Sequence, residues 1–560
     1  MRSLIDQLQA RAAVQGTQLA YTFLEDGERE GDRLTWNDVE RRSRSIAAAL
    51  QAEFLPGARV LLLFPPGLDF IPSFFGCLYA AMIAVPAYPP SGGKMDRMVG
   101  RLRGITSDAG VTAVLTTRAL LARRDAIVSV VPALGSARWL PTDAMDDDLA
   151  KQWRQPLAGW DTVAFLQYTS GSTSEPRGVI VTHGNLLHNL ACAARAADLD
   201  RSTVSVSWLP VNHDMGLIQG VLQPVFSGFP VYLMSPAAFL QRPARWLDTI
   251  SRLNATCSGA PNFAYDLCVR KIAVDQRRSF DLRTWRIAFN GSEPLRHRTL
   301  EAFQEAFAGS GFRWSAFRPA YGLAEATLLV SAGEAERGPA LSSGMAVDDT
   351  TILIVHPDCH TPCPEGDEGE IWVSGPSVAA GYWQRTSETS HTFEARLKDG
   401  RGPFLRTGDL GILRAGRLFV SGRIKDLLIV RGMKHHPQDV EATVEATVDS
   451  VRSGCCAAFA ITAAEDERVV LAAEVDSRHE GGMAPGGTIA HIRQAVAETH
   501  GIQLDDVVLL HPGTIPKTTS GKLQRYACRA ALLAGVLEPL ERWTRTQINT
   551  GLSTGLAEAV

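Results

Sequence analysis

Short apolar runs that alternate with longer amphipathic stretches predict an α/β protein. Between Leu34 and about Gly422, runs such as RVLLLF, TVAFLQY and WRIAFN alternate with stretches such as DVERRSRSIAAALQAEF. Short apolar runs bounded by turn residues indicate buried strands, and apolar positions at helical spacing indicate helices that pack on those strands. We therefore expect a large N-terminal α/β domain over residues 1–422.

The pattern changes twice toward the C-terminus. Over 345–422, short strands such as TTILIV and GEIWVSG replace the helical stretches, which predicts a β-rich subdomain that closes the large domain. After Gly422, CCAAFAITA, RVVLAAEV and VVLLHPG are strand-like and TIAHIRQAVAETHG is helical. A separate small α+β domain is expected there.

Length, charge and apolar content narrow the class of protein. The 560 residues exceed what one hydrophobic core usually holds, and 45% hydrophobic with 21% charged residues is typical of a soluble globular chain. The net charge of −4 and the absence of a basic run argue against a nucleic-acid partner. No apolar stretch reaches spanning length, and Phe70–Tyr88 is interrupted by prolines, so we expect a buried helix and strand there and no stable membrane insertion.

Cysteine usage favours a reducing compartment. Nine cysteines are scattered along a chain whose N-terminus lacks the apolar core of a secretory signal, so reduced thiols and a cytoplasmic location are expected. His356, Cys359, His360 and Cys363 fall close together and could ligate zinc, but their spacing fits no common zinc pattern. A Pro-rich turn between two strands is the favoured interpretation.

The segment FLQYTSGSTSEPRGV is a candidate phosphate-binding loop. A strand-like run ends there in six hydroxyl and glycine residues, namely Thr169, Ser170, Gly171, Ser172, Thr173 and Ser174. Glycine allows backbone amides to turn toward an anion, and the hydroxyls add donors. An ordinary polar turn explains this segment alone equally well, and neither the P-loop nor the dinucleotide glycine pattern is present.

Four further motifs follow in order: YGLAEAT with Glu325, LRTGD with Asp409, SGRIKDLLIVRG with Arg423 and Lys425, and PKTTSGKLQR with Lys522. Together with the loop, they resemble the core motifs of the adenylate-forming superfamily. The resemblance implies an enzyme with a large domain and a mobile C-terminal domain, 427–560, joined by a hinge at 423–426. It also implies activation of a carboxylic acid with ATP and Mg²⁺, giving an acyl adenylate and pyrophosphate.

The same resemblance assigns roles to individual residues. Lys522, Glu325 and Thr169 are implied as catalytic, with Glu325 as the Mg²⁺ ligand and Lys425 as the hinge. Lys517 is an alternative to Lys522, and Tyr321 could instead be an ordinary core aromatic residue. The implied nucleotide-binding residues are Ser170, Gly171, Ser172, Thr173, Arg177, Gly291, Ser292, Glu293, Tyr321, Gly322, Asp409 and Arg423.

Five further stretches, among them SWLPVNHDMGLIQG, MSPAAFLQRPARWL and FNGSEPLR, resemble the fatty acyl-AMP ligases over about Thr35 to Trp543. That branch transfers the acyl group to the phosphopantetheine thiol of an acyl carrier protein, in lipid, polyketide or lipopeptide biosynthesis. The resemblance implies that the acyl chain is bound by His213, Asp214, Met215, Gly216 and Phe263. Core packing is the alternative for each of the apolar residues.

Two departures from the branch leave questions open. Ser174 and Arg177 stand where the superfamily usually has glycine and lysine, so the pyrophosphate contacts can differ. Only EAERGPALSSGM separates YGLAEATLLVSAG from the next strand, so the segment that is associated with rejecting coenzyme A is missing or reduced. The carrier protein is the favoured acceptor and coenzyme A the alternative. A catalytically silent adenylate-binding scaffold is disfavoured because Glu325, Asp409, Arg423 and Lys522 are all present.

Overall fold

The computed structural model describes residues 2–90, 95–169, 176–338, 340–430, 433–463, 466–476, 487–518 and 521–545. The chain divides into two compact units, a large unit, Met1–Ser421, and a small unit, Gly422–Val560. No helix among the described residues is both long enough and apolar enough to cross a membrane.

The large unit contains most of the strands. Their bounds are β1 (Leu19–Glu25), β2 (Arg29–Thr35), β3 (Arg59–Leu63), β4 (Ile83–Ala87), β5 (Ala113–Thr116), β6 (Arg138–Pro141), β7 (Val163–Thr169), β8 (Arg177–Thr182), β9 (Ser205–Ser207), β10 (Val231–Leu233), β11 (Cys257–Ala260), β12 (Ile287–Asn290), β13 (Phe317–Gly322), β14 (Leu329–Ala332), β15 (Met345–Ala346), β16 (Thr351–Val355), β17 (Gly369–Ser374), β18 (Leu405–Arg414) and β19 (Arg417–Arg423).

The α-helices of the large unit pack on these strands. They are α1 (Leu4–Gln15), α2 (Trp36–Glu53), α3 (Phe70–Tyr79), α4 (Met95–Ala109), α5 (Arg118–Leu121), α6 (Arg124–Val130), α7 (His183–Ala196), α8 (Asp214–Leu217), α9 (Gln223–Ser227), α10 (Pro236–Gln241), α11 (Ala244–Arg252), α12 (Asn262–Lys271), α13 (Val274–Arg277), α14 (His297–Phe307) and α15 (Thr386–Phe393).

Two sheets organise the large unit. One sheet has the order β6-β5-β3-β4-β7-β8, in which only the final pair is antiparallel. The other has thirteen strands among the described residues, in the order β16-β17-β18-β19-β15-β14-β13-β12-β11-β9-β10-β1-β2. Within this sheet, the six neighbouring strands β13-β12-β11-β9-β10-β1 are parallel, so their carboxyl ends share one edge. Such an edge is where α/β proteins commonly bind ligands. The strands after β13 continue this sheet through β15, which pairs with β14 and with β19.

Local sequence explains where individual helices lie. The stretch Phe70–Tyr88 forms α3, in which every residue is buried, followed by β4, as expected for an apolar segment interrupted by prolines. Helix α2 begins with a capping box in which Thr35 and Asp38 satisfy each other's backbone amides. Helix α1 is held to α7 by Leu4, whose amide donates to His183 Nδ1 at 3.2 Å, and burial lowers the pKa of His183 to about 4.

The small unit is an α+β unit. Its elements are β20 (Leu428–Val430), β21 (Met433–His435), α16 (Pro437–Thr447), β22 (Val451–Ala463), β23 (Asp466–Val475), α17 (Gly487–His500), β24 (Asp506–Leu510), α18 (Arg525–Leu533) and β25 (Pro539–Thr544). Strands β22-β23-β24-β25 form one sheet, and β20 pairs with β21. The strands and the helix expected from CCAAFAITA, RVVLAAEV, VVLLHPG and TIAHIRQAVAETHG are all present.

Candidate functional site

The candidate phosphate loop connects β7 to β8 of the six-stranded sheet. Thr169 ends β7, and its Cα partner across the hairpin is Arg177, the first residue of β8. Ser170, Gly171, Ser172, Thr173 and Ser174 lie outside the described residues, so their predicted roles stay predictions. The position of the loop is defined by its two ends.

Helix α4 contacts both ends of the loop. Arg101 Nη2 donates to the carbonyl oxygen of Tyr168 at 3.1 Å, on the β7 side. On the β8 side, a Cβ atom at Gly104 would lie 2.7 Å from Pro176 Cγ, so the helix and the loop end pack closely. The Tyr168 hydroxyl also donates to Asp108 Oδ2 at 2.7 Å. These contacts fix the separation of the two loop ends.

Arg177 is held on two sides by charged and aromatic neighbours. Its Nε lies 2.9 Å from Glu388 Oε2, and its Cζ lies 5.4 Å from the centre of the Tyr382 ring. Glu388 is itself paired with Arg385, Nη1 to Oε1 at 3.0 Å. A planar guanidinium can form an ion pair and stack on a ring at once, which an ammonium does less well. Arg177, which stands where the superfamily usually has lysine, therefore has an ion-pair partner and an aromatic ring that both suit a guanidinium.

Glu325 lies on a 3₁₀ turn, Ala324–Ala326, directly after β13. The Tyr382 hydroxyl donates to Glu325 Oε1 at 2.9 Å. Burial, followed by the negative charge of Glu325, raises the pKa of Tyr382, so the hydroxyl keeps its proton and remains a donor. Tyr382 therefore links Arg177 beside the loop to the carboxylate predicted to bind Mg²⁺.

Tyr382 lies in a short segment, 380–383, that pairs with β8 and so holds the tyrosine between Arg177 and Glu325. The Ile180 amide of β8 donates to Gly381 O at 2.9 Å, and the Trp383 amide donates to Gly178 O at 2.8 Å. Sequence analysis missed Tyr382, although the Gly-Tyr-Trp triplet was a signal. Asp108, Arg385 and Glu388 were also missed, and they carry no local pattern of their own.

The turn that carries Glu325 is tightly constrained. A Cβ atom at Gly322 would lie 1.7 Å from Leu328 O, so only glycine fits there. Thr327 has φ of +66°, which is unusual for a β-branched residue, and its hydroxyl donates to Ser377 O at 2.7 Å. Such strain is retained where the surroundings fix one conformation, and it often accompanies functional sites.

Tyr321 and Asp409 form a buried pair beside this turn. The Tyr321 hydroxyl donates to Asp409 Oδ2 at 2.7 Å. Asp409 also receives local support, because its amide donates to Thr407 Oγ1 at 3.1 Å. A Cβ atom at Gly291 would lie 2.9 Å from Ala320 O, so a glycine there lets the ends of β12 and β13 approach. The pair therefore lies next to Gly291, among the predicted nucleotide-binding residues.

Ser292 and Glu293 connect the nucleotide side to the acyl side. Ser292 has φ of +71°, and its hydroxyl lies 3.5 Å from Met215 Sδ. Glu293 Oε1 accepts a hydrogen bond from the Phe263 amide at 2.5 Å, in the first turn of α12. A carboxylate at a helix N-terminus is stabilised by the unpaired amides and the helix dipole. Glu293 thus has a helix-capping contact, which sequence analysis did not anticipate.

The predicted acyl-side motif surrounds α8. His213 Nδ1 lies 2.5 Å from Asp214 Oδ1, and both side chains are largely buried. A Cβ atom at Gly216 would lie 2.1 Å from Pro210 O, so close backbone packing accounts for the glycine. Met215 is buried and faces Gly259, where an added Cβ atom would lie 3.2 Å from Met215 Cε.

A small cavity of about 20 Å³ lies beyond Gly259. Phe263 is not one of its lining residues, because its ring packs edge-on against Trp208 with centroids 6.0 Å apart. The residues that line the cavity are Ala193, Leu199, Ser205, Val206, Ser207, Leu209, Gln219, Gly220, Gln223, Phe229, Cys257, Ser258, Gly259 and Phe289.

The small unit carries the remaining predicted residues. Lys522 follows a turn in which its amide donates to Thr518 Oγ1 at 3.0 Å. The alternative lysine, Lys517, is directed to the unit's interior, where Nζ donates to Cys455 Sγ at 3.2 Å. Arg423 ends β19, and the exposed Lys425 lies on the 3₁₀ turn Ile424–Asp426.

The cluster His356, Cys359, His360 and Cys363 does not form a metal site. Among the described residues, no group of three or more histidine, cysteine, aspartate or glutamate side chains could hold a metal ion. Cys359 is exposed, and its Sγ lies 2.9 Å from Thr361 Oγ1.

A hairpin loop with fixed ends follows β7 of the six-stranded sheet, and Tyr382 connects it to a carboxylate on a strained turn after β13 of the thirteen-stranded sheet, beside a buried tyrosine–aspartate pair. This fold, followed by a small α+β unit, defines an adenylate-forming enzyme that uses ATP.

Comparisons with known proteins indicate the same class of enzyme. Residues 8–383 match the family of AMP-binding enzymes, and residues 425–541 match the AMP domain of Disco-interacting protein 2-like proteins. The chain is 41% identical to the medium-chain-fatty-acid–[acyl-carrier-protein] ligase JamA of Moorena producens, covering 98% of each chain. It is 38% identical to the long-chain-fatty-acid–AMP ligase FadD23 of Mycobacterium tuberculosis, covering 91% of this chain and 93% of that protein.

A solved structure is also similar: a fatty acyl-adenylate ligase from L. pneumophila in complex with acyl adenylate and pyrophosphate. It matches with a TM-score of 0.73 and 37% identity, covering 97% of this chain and 98% of that one. The chain belongs to the AMP-binding enzyme family, in its fatty acyl-AMP ligase branch. The family, the fold class and the enzyme class predicted from the sequence are confirmed.

Proposed function

We propose that this chain activates a fatty acid with ATP, releasing pyrophosphate, and then transfers the acyl group from acyl-AMP to the phosphopantetheine thiol of an acyl carrier protein. One observation carries the proposal: Arg177, Tyr382 and Glu325 are connected beside the loop, and Tyr321 and Asp409 lie next to the same turn. On the acyl side, Met215 lies beside Ser292 and borders Gly259, which lines a small cavity.

The first half-reaction needs positioning and charge neutralisation more than covalent chemistry. The fatty acid carboxylate attacks the α-phosphate in line, the bond to the leaving pyrophosphate breaks, and negative charge is redistributed over the phosphates. In this proposal Thr169 and Arg177, which are Cα partners at the two ends of the loop, contact the phosphates. Asp409 accepts hydrogen bonds from the ribose hydroxyls and is held for that by Tyr321.

The donor set at Glu325 suits Mg²⁺. Magnesium in nucleotide enzymes is typically held by one or two carboxylates with phosphate oxygens and water, and Glu325 supplies one oriented carboxylate. When bound, the ion neutralises phosphate charge. Tyr382 keeps the carboxylate in one orientation through its hydroxyl.

The small unit supplies the remaining charges. Lys522 brings a cation to the developing charge during adenylation, and Arg423 contacts the ribose. A hinge at 423–426, centred on Lys425, reorients residues 427–560 for thioester formation, because both half-reactions use one site. Asp426, next to Lys425, is paired with Arg525, Nη1 to Oδ2 at 3.0 Å, so the turn is anchored within the small unit.

The acyl carrier protein is favoured as acceptor because the similar protein JamA is named as an acyl-carrier-protein ligase. One observation favours coenzyme A as a second candidate. The connection between β14 and β15 is short and lies against the large unit, where Trp314 Nε1 donates to Ala335 O at 2.8 Å and Arg417 Nη2 lies 2.6 Å from Glu336 Oε1. With so short a connection, the inserted segment that is associated with rejecting coenzyme A is missing or reduced. ATP and reduced thiols make the cytoplasm the expected location.

Two assays test the proposal. Fatty-acid-dependent ATP–pyrophosphate exchange should require Mg²⁺ and should be lost in Glu325→Ala and Asp409→Ala. Supplied acyl adenylate should then acylate holo acyl carrier protein with a higher kcat/KM than coenzyme A. Exchange that is indifferent to added fatty acid would refute adenylation, and acyl-CoA formation without carrier loading would instead establish the second candidate.

A further inference from the structure

The turn that carries Glu325 continues directly into a γ-turn centred on Thr327. Thr327 has φ of +66° and ψ of −64°, and across it the Leu328 amide donates to Ala326 O at 2.7 Å. A γ-turn with positive φ is rare and strained, and a β-branched residue adds to its cost. Such a conformation persists only where the surroundings fix it, so the contacts of the turn also decide how firmly Glu325 is held.

The Thr327 hydroxyl bonds to a short segment, 376–379, that also bonds to Glu325. Thr327 is only 1% exposed, and its hydroxyl donates to Ser377 O at 2.7 Å. Two residues further along the chain, the Ala379 amide donates to Glu325 O at 2.9 Å. The same segment therefore holds the residue that precedes Ala326 and the residue that follows it.

Helix α7 fixes the position of segment 376–379. Asn185 Nδ2 donates to Pro376 O at 2.8 Å and to Val378 O at 3.0 Å. His188 Nδ1 lies 2.7 Å from Ser377 Oγ, which is a hydrogen-bonding distance. The backbone of the segment is thus bonded on both sides of Ser377, so the Ser377 carbonyl is a fixed acceptor.

Asn189 joins α7 to the strand that follows the turn. Its side chain is fully buried, and Nδ2 donates to Leu329 O at 2.9 Å and to Ser377 Oγ at 3.0 Å. Its Oδ1 accepts from the Leu329 amide at 3.1 Å. The start of β14 is therefore held to the same helix as segment 376–379, and the γ-turn at Thr327 connects Glu325 to that point.

We propose that Thr327 is a positioning residue for the carboxylate that binds Mg²⁺: its hydroxyl, bonded to Ser377 O, holds the γ-turn and with it the direction in which Glu325 extends. The inference rests on the proposed function, since it takes Glu325 as the Mg²⁺ ligand. Without the hydroxyl, a buried carbonyl loses a donor and the strained turn can relax. Glu325 is then oriented less firmly, and Mg²⁺ contributes less to the binding of ATP.

Equilibrium binding of ATP tests the proposal with the full chain. The Kd for ATP is measured by calorimetry without fatty acid, once with Mg²⁺ and once with a chelator in its place. Thr327→Val keeps the branched shape and removes the hydroxyl, so the Kd with Mg²⁺ should rise by about 5-fold or more. The Kd without Mg²⁺ should stay within about twofold of the wild type. Thr327→Ser keeps the hydroxyl, so both of its Kd values should stay within about twofold.

Two further variants separate positioning from folding. Thr327→Gly removes the hydroxyl and also the strain, because glycine adopts positive φ freely, so it should fold and show the same Mg²⁺-specific loss as Thr327→Val. Thr116→Val is the matched control, since the buried Thr116 hydroxyl donates to Leu63 O at 2.8 Å within the six-stranded sheet. It should leave the effect of Mg²⁺ on ATP binding unchanged.

The possible outcomes distinguish the inference from the function on which it rests. A wild-type Kd with Mg²⁺ in Thr327→Val or Thr327→Gly would overturn the inference, and so would an equal loss in Thr327→Ser. A loss of the same size with and without Mg²⁺ would also overturn it, because the turn would then support ATP binding in general. If Glu325→Ala retained the full effect of Mg²⁺, the proposed role of Glu325 would instead be rejected.

Discussion

Tyr382→Phe is the substitution that isolates the contact between the loop side and Glu325. It removes one hydroxyl and keeps the ring on which Arg177 stacks. The lost hydrogen bond, 2.9 Å to Glu325 Oε1, has a charged acceptor, and such bonds contribute about 1.5–3 kcal/mol. If that stabilisation orients Glu325 in the transition state, kcat/KM for adenylation falls roughly 10–150-fold.

The assay is ATP–pyrophosphate exchange over a Mg²⁺ titration. A less well oriented Glu325 should also raise the Mg²⁺ concentration that gives the half-maximal rate, which a merely structural loss would not do. Tyr21→Phe is the matched control, because the buried Tyr21 hydroxyl donates to Val221 O at 2.6 Å and not to Glu325 or its neighbours. It should lower stability but leave the Mg²⁺ dependence unchanged. A Tyr382→Phe enzyme with wild-type kcat/KM and Mg²⁺ dependence would refute the reasoning.

Three further predictions concern the small unit and one buried histidine. Lys522→Ala should slow adenylate formation by about 100-fold or more while sparing transfer from supplied acyl adenylate, and Lys517→Ala, whose ammonium is bound to sulfur, should spare both. Lys425→Pro should impair transfer more than adenylation, because proline fixes φ at the hinge; equal losses in both half-reactions would contradict the two-pose model. His183 is buried with its pKa lowered to about 4, so the unfolded chain takes up the proton first as pH falls below 6.5. About 3 kcal/mol of unfolding free energy should therefore be lost between pH 6.5 and 4. His183→Asn should show less of this loss in denaturant titrations at the two pH values, and an identical loss would show that other groups cause it.

Residues that lie within short, recognisable sequence motifs could be singled out from the sequence alone. The strands could be predicted, and Glu325, Tyr321 and Asp409 could be singled out, because each lies in a short segment with its own pattern; the hydrogen bond between Tyr321 and Asp409 was not predicted. Gly216 was predicted to bind the acyl chain, which stays a prediction, and its close packing against Pro210 O is a separate reason for a glycine there. Glu293 was predicted to lie near the nucleotide, and its contact with the Phe263 amide at the start of α12 was not anticipated.

The partners of those residues could not be predicted in the same way. Tyr382 reaches Glu325 across 57 positions of the chain, and Arg385 reaches Asp108 across 277. Such pairs depend on sheet order and register, which one sequence does not specify without knowledge of the pairing.

The pairing of segment 380–383 with β8 also protects the protein from self-association. Strand β8 is the last strand of the six-stranded sheet, and an uncovered edge of this kind offers free amides and carbonyls to a strand of another molecule. Hydrogen bonds to Gly381 and Trp383 occupy that edge. Because the same segment carries Tyr382, a substitution that detaches it would weaken catalysis and expose an aggregation-prone edge together. Solubility and activity are therefore expected to decline in parallel in variants of this segment.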